Sequence, residues 1–149
     1  TTPIAEDVRQ IIVLRKDLPM TAGKLVAQGA HASMKVLLDR AQIQKGPGTP
    51  FTMVEGRLHI PERKDLHIPL NGDLQAWLEG KFTKICVRVE SEAELLAVYG
   101  AALAAGLPCA LIEDAGLTAF KGVSTKTCCA IGPASRSALD PITGGLRLL

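Results

Sequence analysis

The chain has 149 residues, of which 47% are hydrophobic and 21% are charged. That balance is typical of one globular domain and argues against a disordered chain. The 17 basic and 15 acidic residues give a net charge of +2, which is too small to indicate nucleic-acid binding by itself, so any RNA contact must come from a local cluster of cations. No apolar run reaches membrane-spanning length and the first residues lack a signal-peptide pattern, so we expect a cytoplasmic protein with no membrane partner.

The cysteines and histidines do not predict a metal site. Cys86, Cys109, Cys128 and Cys129 lack the Cys-x-x-Cys spacing of zinc or redox sites, and each lies in an apolar run. We therefore interpret all four as buried free thiols in a reducing compartment. The three histidines are scattered without metal-ligand spacing.

The predicted elements begin with a strand at residues 10–15, a continuous apolar run that favours a central position in an α/β sheet. Thr21 is placed to cap a helix that begins at residue 22. Apolar side chains recur along that helix at steps of mostly three and four, which predicts a stripe facing the core. The members of this stripe are Ala27, Ala30, Met34, Leu37, Leu38 and Ala41.

Residues 42–72 are punctuated by glycine and proline, which predicts mostly loop with a small hairpin formed by residues 51–54 and 58–60. A short helix at 73–80 and a strand at 84–89 follow. Ser91 and Glu94 then form a capping-box pattern at the start of another helix, which Gly106 ends. Strands at 109–113 and 127–131 complete the pattern. Helices separate the first three strands, which predicts that they run parallel, whereas the short link to the fourth predicts an antiparallel neighbour.

A polar stripe runs along the first helix beside the predicted apolar one. Lys24, Gln28, His31 and Lys35 are spaced by four, three and four residues and therefore share a face. Lys24 and Gln28 lie in the first two turns, where the helix dipole and the free N–H groups favour an anion. The stripe either lines a cleft or is simply solvated, as polar helix faces commonly are.

Asp114 directly follows the third predicted strand. Acidic side chains in that position are often catalytic, and the alternative is an aspartate that only starts a turn. The following loop carries hydroxyl groups, including those of Thr118 and Thr127, and adds two lysines. Together with cations nearer the N-terminus, these lysines predict a basic patch. Its candidate substrate-binding residues are Arg15, Lys16, Lys35, Lys121 and Lys126.

These residues together resemble the signature of type-II (archaeal/eukaryotic-type) peptidyl-tRNA hydrolases. The N-terminal block of that resemblance is Arg15-x-Asp17-Leu18-x-Met20-x-x-Gly23-Lys24-x-x-Ala27-Gln28-x-x-His31-Ala32. The later blocks, in the family's order, are Gly106-Leu107-Pro108, Leu111-Ile112-x-Asp114-Ala115-Gly116-x-Thr118, Thr127 with Ile131-Gly132-Pro133, Asp140-x-x-Thr143-Gly144, and Leu146-x-Leu148-Leu149. They reach from one end of the chain to the other, and none of them falls in residues 42–72.

The resemblance implies a three-layer α/β/α sandwich with a mixed four-stranded sheet, in a single domain 1–149 that carries an insert at about 42–72. It implies hydrolysis of the ester between a peptide and the 3′-terminal ribose of tRNA, without a metal or an organic cofactor. The substrate partner would be peptidyl-tRNA, and a homodimer is compatible with the family. The implied catalytic residues are Lys24, Gln28, His31, Asp114, Thr118 and Thr127. Asp114 and His31 both remain candidates for the base that activates water.

Two departures from the family pattern bear on substrate preference. The link at residues 42–72 is long for the family, and Leu117 stands at a position that is usually basic. A catalytically silent domain that binds tRNA or protein is the alternative function, although the presence of Lys24, Gln28 and Asp114 argues against it. A general serine esterase is disfavoured because the Gly-x-Ser-x-Gly elbow is absent from the sequence.

Overall fold

The computed structural model describes residues 7–116 and 120–149, and that part of the chain divides into two compact units. One unit runs to Val36 and resumes with Leu70–Leu149, and the other is Leu37–Pro69. The elements in chain order are β1 (Val8–Arg15), α1 (Ala22–Leu38), β2 (Gln42–Pro47), β3 (Thr52–Val54), β4 (Arg57–His59), β5 (Glu62–His67), α2 (Gly72–Glu79), β6 (Lys84–Val89), α3 (Glu92–Ala104), β7 (Cys109–Asp114), β8 (Thr125–Ser135), α4 (Arg136–Thr143) and β9 (Arg147–Leu148). No helix in the described ranges has both the length and the apolar character needed to cross a membrane.

The main sheet has the strand order β7-β8-β1-β6-β9. β1 and β6 run parallel, and β8 is antiparallel to both β1 and β7. The predicted directions of all four strands are therefore confirmed, as is the mixed α/β class. The sheet has five strands where four were predicted, because the two residues of β9 pair with β6 at one edge. So short a strand has too few side chains to leave a recognisable alternation in the sequence.

Apolar side chains on the two faces of β1 belong to two separate core clusters. Ile11 and Val13 pack in the cluster that includes Leu95 of α3, whereas the alternate residues of β1 pack with Ala32 and Val36 of α1. This alternation is what a strand buried on both faces requires. The three-layer sandwich stays a prediction, which these two clusters support.

The apolar stripe predicted for α1 is not the face that packs on the sheet. Ala27 and Ala30 are exposed, and Met34 is 59% exposed. The residues that α1 buries are Gln28, Gly29, Ala32 and Val36. A Cβ atom on Gly29 would lie 3.5 Å from Cγ2 of Ile12, so small residues bring this helix close to the sheet while larger apolar side chains stay outside.

The cysteines are all free, as predicted, but they are not all buried. Cys128 and Cys129 are buried in the sheet, Cys109 is half-buried and Cys86 is exposed. Burial raises the pKa of the Cys128 thiol to about 12, which keeps that group protonated and unreactive. Cys86 is exposed because it borders a groove on the sheet that α1 leaves open.

The unit Leu37–Pro69 contains two antiparallel ladders. The predicted hairpin is confirmed as β3 paired with β4. The ladder between β2 and β5 was not predicted. Its strands are rich in polar residues, and the β3–β4 hairpin separates them in the sequence. The description of the chain as one domain with an insert stays a prediction.

Candidate active site

The first turn of α1 places a lysine at the carboxyl ends of the parallel strands. The backbone N–H of Lys24 donates to Oγ1 of Thr21 at 3.2 Å, which confirms the predicted cap. Lys24 is the third residue of the helix, where the helix dipole disfavours a cation. A nearby anion is therefore needed to hold its charge in that position.

That anion is Asp114, the last residue of β7. Nζ of Lys24 donates to Oδ2 of Asp114 at 2.6 Å, and Nε2 of Gln28 donates to the same oxygen at 3.1 Å. The side chains of Lys24 and Asp114 are only 18% and 13% exposed, and Gln28 is buried. Ion pairs in such surroundings are screened much less than surface pairs, so the carboxylate and the ammonium are held firmly together.

Thr127 fixes the orientation of Gln28. The register between β7 and β8 shifts between Ile112 and Glu113, which leaves Thr127 as the extra residue of a β-bulge. Its buried hydroxyl group donates to Oε1 of Gln28. Because the amide oxygen of Gln28 accepts from Thr127, its NH₂ group is the part that faces Asp114.

The turn after Asp114 holds the other carboxylate oxygen. The backbone N–H of Gly116 donates to Oδ1 of Asp114 at 2.7 Å. Gly116 has a φ of 82°, and a Cβ atom there would lie 2.3 Å from the carbonyl oxygen of Val123, so only glycine fits. Farther along the loop, the buried ring of Phe120 lies 5.6 Å from Nζ of Lys24, within range of a cation–π contact.

These contacts set the ionisation of Asp114. The hydrogen bond from Lys24 lowers the pKa of this carboxyl group most, followed by the backbone N–H of Gly116, and together they outweigh desolvation. Asp114 is therefore ionised at neutral pH with both oxygens in fixed directions.

The structure thus brings together four predicted catalytic residues: Lys24, Gln28, Asp114 and Thr127. His31 is exposed on α1 and is not hydrogen-bonded to any member of this group. Thr118 lies outside the described residues.

The predicted cations differ in their surroundings. Lys16, Lys35 and Lys121 are exposed. Lys126 is half-buried, with its Nζ 3.6 Å from Oε1 of Glu92. Arg15 is only 9% exposed, and its guanidinium group contacts protein atoms.

Sequence reasoning missed two groups at this site, the backbone N–H of Gly116 and the ring of Phe120, and it missed the pairing of Asp17 with Arg15. Gly116 was part of a motif, but a sequence motif does not indicate that a backbone N–H group binds a carboxylate. Phe120 has no distinguishing pattern. Asp17 lies two residues after Arg15, and that spacing of opposite charges was an available signal.

The arrangement suits attack by water on an ester. An ionised carboxylate with fixed lone pairs can hold a water molecule and accept its proton, and an adjacent ammonium can stabilise a developing oxyanion. Within residues 7–116 and 120–149, no group of three His, Cys, Asp or Glu side chains is placed to hold a metal ion.

Comparisons with known proteins place these residues in a family context. A family model described as peptidyl-tRNA hydrolase PTH2 matches residues 8–149. A peptidyl-tRNA hydrolase of Aeropyrum pernix is 39% identical over 145 residues, covering 96% of this chain and 97% of the relative. One from Methanocaldococcus jannaschii is 35% identical over 142 residues, covering 95% of this chain and 100% of the relative. One from Sulfolobus acidocaldarius is 33% identical, with the same coverage of both chains.

Proposed function

Since the chain belongs to the peptidyl-tRNA hydrolase PTH2 family, we propose that it cleaves the ester between a peptide and the 3′-terminal ribose of tRNA, releasing free tRNA. The observation that carries this proposal is the hydrogen-bonded group of Lys24, Asp114, Gln28 and Thr127. A silent binding module would have no need of a carboxylate and an ammonium held 2.6 Å apart in a largely desolvated position. We also propose a cytoplasmic location, where translation supplies the substrate, and cell fractionation tests it.

In the proposed mechanism Asp114 is the base. Its carboxylate holds a water molecule against the ester carbonyl and accepts a proton as the water attacks. Lys24 then stabilises the oxyanion of the tetrahedral intermediate, and the ribose hydroxyl leaves with a proton. Thr127 and Gln28 keep the carboxylate oriented. Of the two candidate bases, Asp114 is favoured over His31 because only Asp114 contacts the other members of the group.

Purified protein is expected to release tRNA from N-acetyl-aminoacyl-tRNA at the same rate with and without a chelator. The physical reason is that Lys24 supplies the positive charge that a metal ion would otherwise provide. Separation of free and acylated tRNA on acid gels measures this reaction. Absence of hydrolysis by folded protein would contradict the proposed function, and loss of hydrolysis in chelator would contradict the metal-free mechanism.

We further propose that four cations hold the tRNA: the exposed Lys16, Lys35 and Lys121, and the half-buried Lys126. Lys121 and Lys126 lie on the chain between Asp114 and the bulge at Thr127, and so flank the proposed site. Their phosphate contacts would contribute similarly to the ground state and the transition state.

Lys121→Ala and Lys126→Ala are each expected to raise the Michaelis constant with little change in the single-turnover rate. Each variant is also expected to reduce the slope of log binding constant against log salt by about one phosphate contact or less. Lys126 should have the smaller effect, because Glu92 already pairs with it. Lys81→Ala is the control, since Lys81 precedes β6 and lies at the opposite end of the sheet. If affinity and salt slope stay unchanged in both variants, Arg57, Arg63 and Lys64 are the next candidates.

A homodimer is the final part of the proposal. A groove of about 340 Å³ lies between α1 and the sheet, lined almost wholly by apolar side chains such as Ile12, Leu25 and Leu149. Val26 on its rim is 73% exposed. Exposed apolar patches of this kind mark association surfaces, and a second copy could pack its own α1 against this one about a twofold axis.

Val26→Asp is expected to shift the protein from dimer to monomer in sedimentation experiments, because a charge would be buried in the interface. Leu103→Asp is the matched control, since Leu103 is an exposed leucine on α3. Wild-type protein that sediments as a monomer at all concentrations would contradict the homodimer.

A further inference from the structure

Arg15 makes three directed hydrogen bonds at the carboxyl end of β1. Its Nε and Nη2 atoms donate to the two carboxylate oxygens of Asp17, at 3.1 and 2.7 Å. Its Nη1 atom donates to the backbone carbonyl oxygen of Lys126 at 3.0 Å. The fork geometry of the pair with Asp17 fixes the plane of the guanidinium group, and therefore the direction of the third bond.

The carbonyl group of Lys126 lies at the β-bulge that presents Thr127. The ladder between β1 and β8 reaches only the pair Leu14–Cys128, so Lys126 lies beyond the last pair of that ladder. A bulge disrupts regular pairing and needs other contacts to fix its geometry. The side chain of Arg15 supplies such a contact to Lys126, which the backbone hydrogen bonds between β1 and β8 do not reach.

We propose that Arg15, locked by Asp17, is a positioning residue that holds the Thr127 bulge and thereby orients Gln28 toward Asp114. This inference rests on the proposed hydrolase function. It replaces the sequence-based expectation that Arg15 binds RNA. A side chain that is 9% exposed, with three donors engaged by protein atoms, is poorly placed for a phosphate.

The sequence of contacts is continuous from Arg15 to the carboxylate. Arg15 bonds to the carbonyl group of Lys126, the next residue is Thr127, the hydroxyl group of Thr127 bonds to Gln28, and Gln28 bonds to Asp114. A displacement of Thr127 would release the amide of Gln28, and small displacements of positioning groups have large effects on reaction rates. A lysine at position 15 keeps the charge but cannot satisfy both carboxylate oxygens and the carbonyl group in fixed directions.

The test is a double-mutant cycle of Arg15→Lys and Thr127→Val, measured by single-turnover hydrolysis of N-acetyl-aminoacyl-tRNA. Arg15→Lys is expected to lower the rate constant about tenfold or more, with unchanged tRNA affinity and salt slope. In the Thr127→Val background, Arg15→Lys should cause little further loss, because both residues act through Gln28. Fully additive losses, or a loss confined to tRNA affinity, would overturn the proposal.

Arg9→Lys is the matched control, because Arg9 lies at the other end of β1 and pairs with Asp7 two residues away. It should leave the rate constant unchanged. Asp17→Asn, which retains the arginine, provides a second route if Arg15→Lys fails to fold, and its smaller loss of rate should also disappear in the Thr127→Val background.

The NMR signals of the Gln28 side-chain NH₂ group provide a readout that needs no catalysis. They should shift in Arg15→Lys and stay in place in Arg9→Lys, and unchanged Gln28 signals in Arg15→Lys would overturn the proposal even if the wild-type protein hydrolysed no ester. A wild-type protein that lacks activity would by itself contradict only the proposed function.

Discussion

Asp114→Asn is expected to lower the single-turnover rate of ester hydrolysis by about a hundredfold or more, which is typical for loss of a general base. The substitution separates two roles of this residue. Asparagine can still accept the backbone hydrogen bond from Gly116 through its side-chain oxygen, so the turn after β7 should persist. The negative charge and the basic lone pair are lost, and with them the acceptor oxygen that Lys24 and Gln28 share.

Thermal unfolding should accompany the rate measurement for Asp114→Asn. Asp140→Asn is the control, since Asp140 pairs with Arg136 on the surface of α4 and should retain the wild-type rate. A near-normal rate for Asp114→Asn in folded protein would show that Asp114 only starts the turn after β7 and is not the base. His31, which the sequence left open as the base, would then be the next residue to replace.

Lys24→Ala is expected to lower the rate constant of the chemical step by about a hundredfold to a thousandfold, the usual range for loss of one oxyanion donor. Affinity for tRNA should change far less, because the ammonium group is directed at Asp114, the proposed base. Lys81→Ala again provides the control. If Lys24→Ala changes only affinity, Lys24 is a tRNA anchor and the oxyanion needs another donor.

The pH dependence of the Lys24→Ala variant gives a second readout. The pKa of Asp114 is lowered chiefly by Lys24, so the wild-type rate should fall only at pH values below the ordinary aspartate pKa of about 3.9. Without Lys24 the carboxylate loses its main partner and its pKa rises. The acid limb of the pH–rate profile should therefore move to higher pH, and an unmoved limb would show that Asp114 does not control it.

The same pKa shift affects stability with a defined sign. A carboxyl group whose pKa is lower in the folded than in the unfolded state stabilises the fold at pH values above the unfolded pKa. That contribution disappears as pH falls through the folded value. Asp114 therefore contributes to stability at neutral pH and ceases to do so only in acid.

The features that were predicted correctly from the sequence are those that depend on a local residue pattern. The strands at residues 84–89 and 109–113, the cap at Thr21 and the hairpin in the insert follow from periodicity and turn chemistry. The proximity of Lys24, Gln28, Asp114 and Thr127 was expected from the family resemblance rather than from spacing. Their hydrogen-bond partners could not be predicted, because a bulge decides where Thr127 points.

The incorrect prediction for α1 has a clear physical origin. The hydrophobic pattern selects Ala27, Ala30 and Met34 as core residues because it records only which side chains are apolar. It carries no information on how closely the helix can approach the sheet. The helix instead buries Gly29 because it has almost no side chain, and Gln28 because its amide finds polar partners. The β2–β5 ladder escaped prediction because its strands are distant in sequence and mostly polar.

The position of β8 between β1 and β7 has a consequence for synthesis of the protein. β1 is made first, yet its neighbour on one side is the strand Thr125–Ser135. The backbone groups on that edge of β1 have no native partner until β8 has been synthesised, and until then the α1 residues Ala32 and Val36 pack against only part of their core cluster. Lys24 and Gln28 thus emerge early, but the residue that orients Gln28 emerges late. A nascent chain interrupted before β8 would contain Lys24, Gln28 and Asp114 but would lack the Thr127 hydroxyl group that orients Gln28.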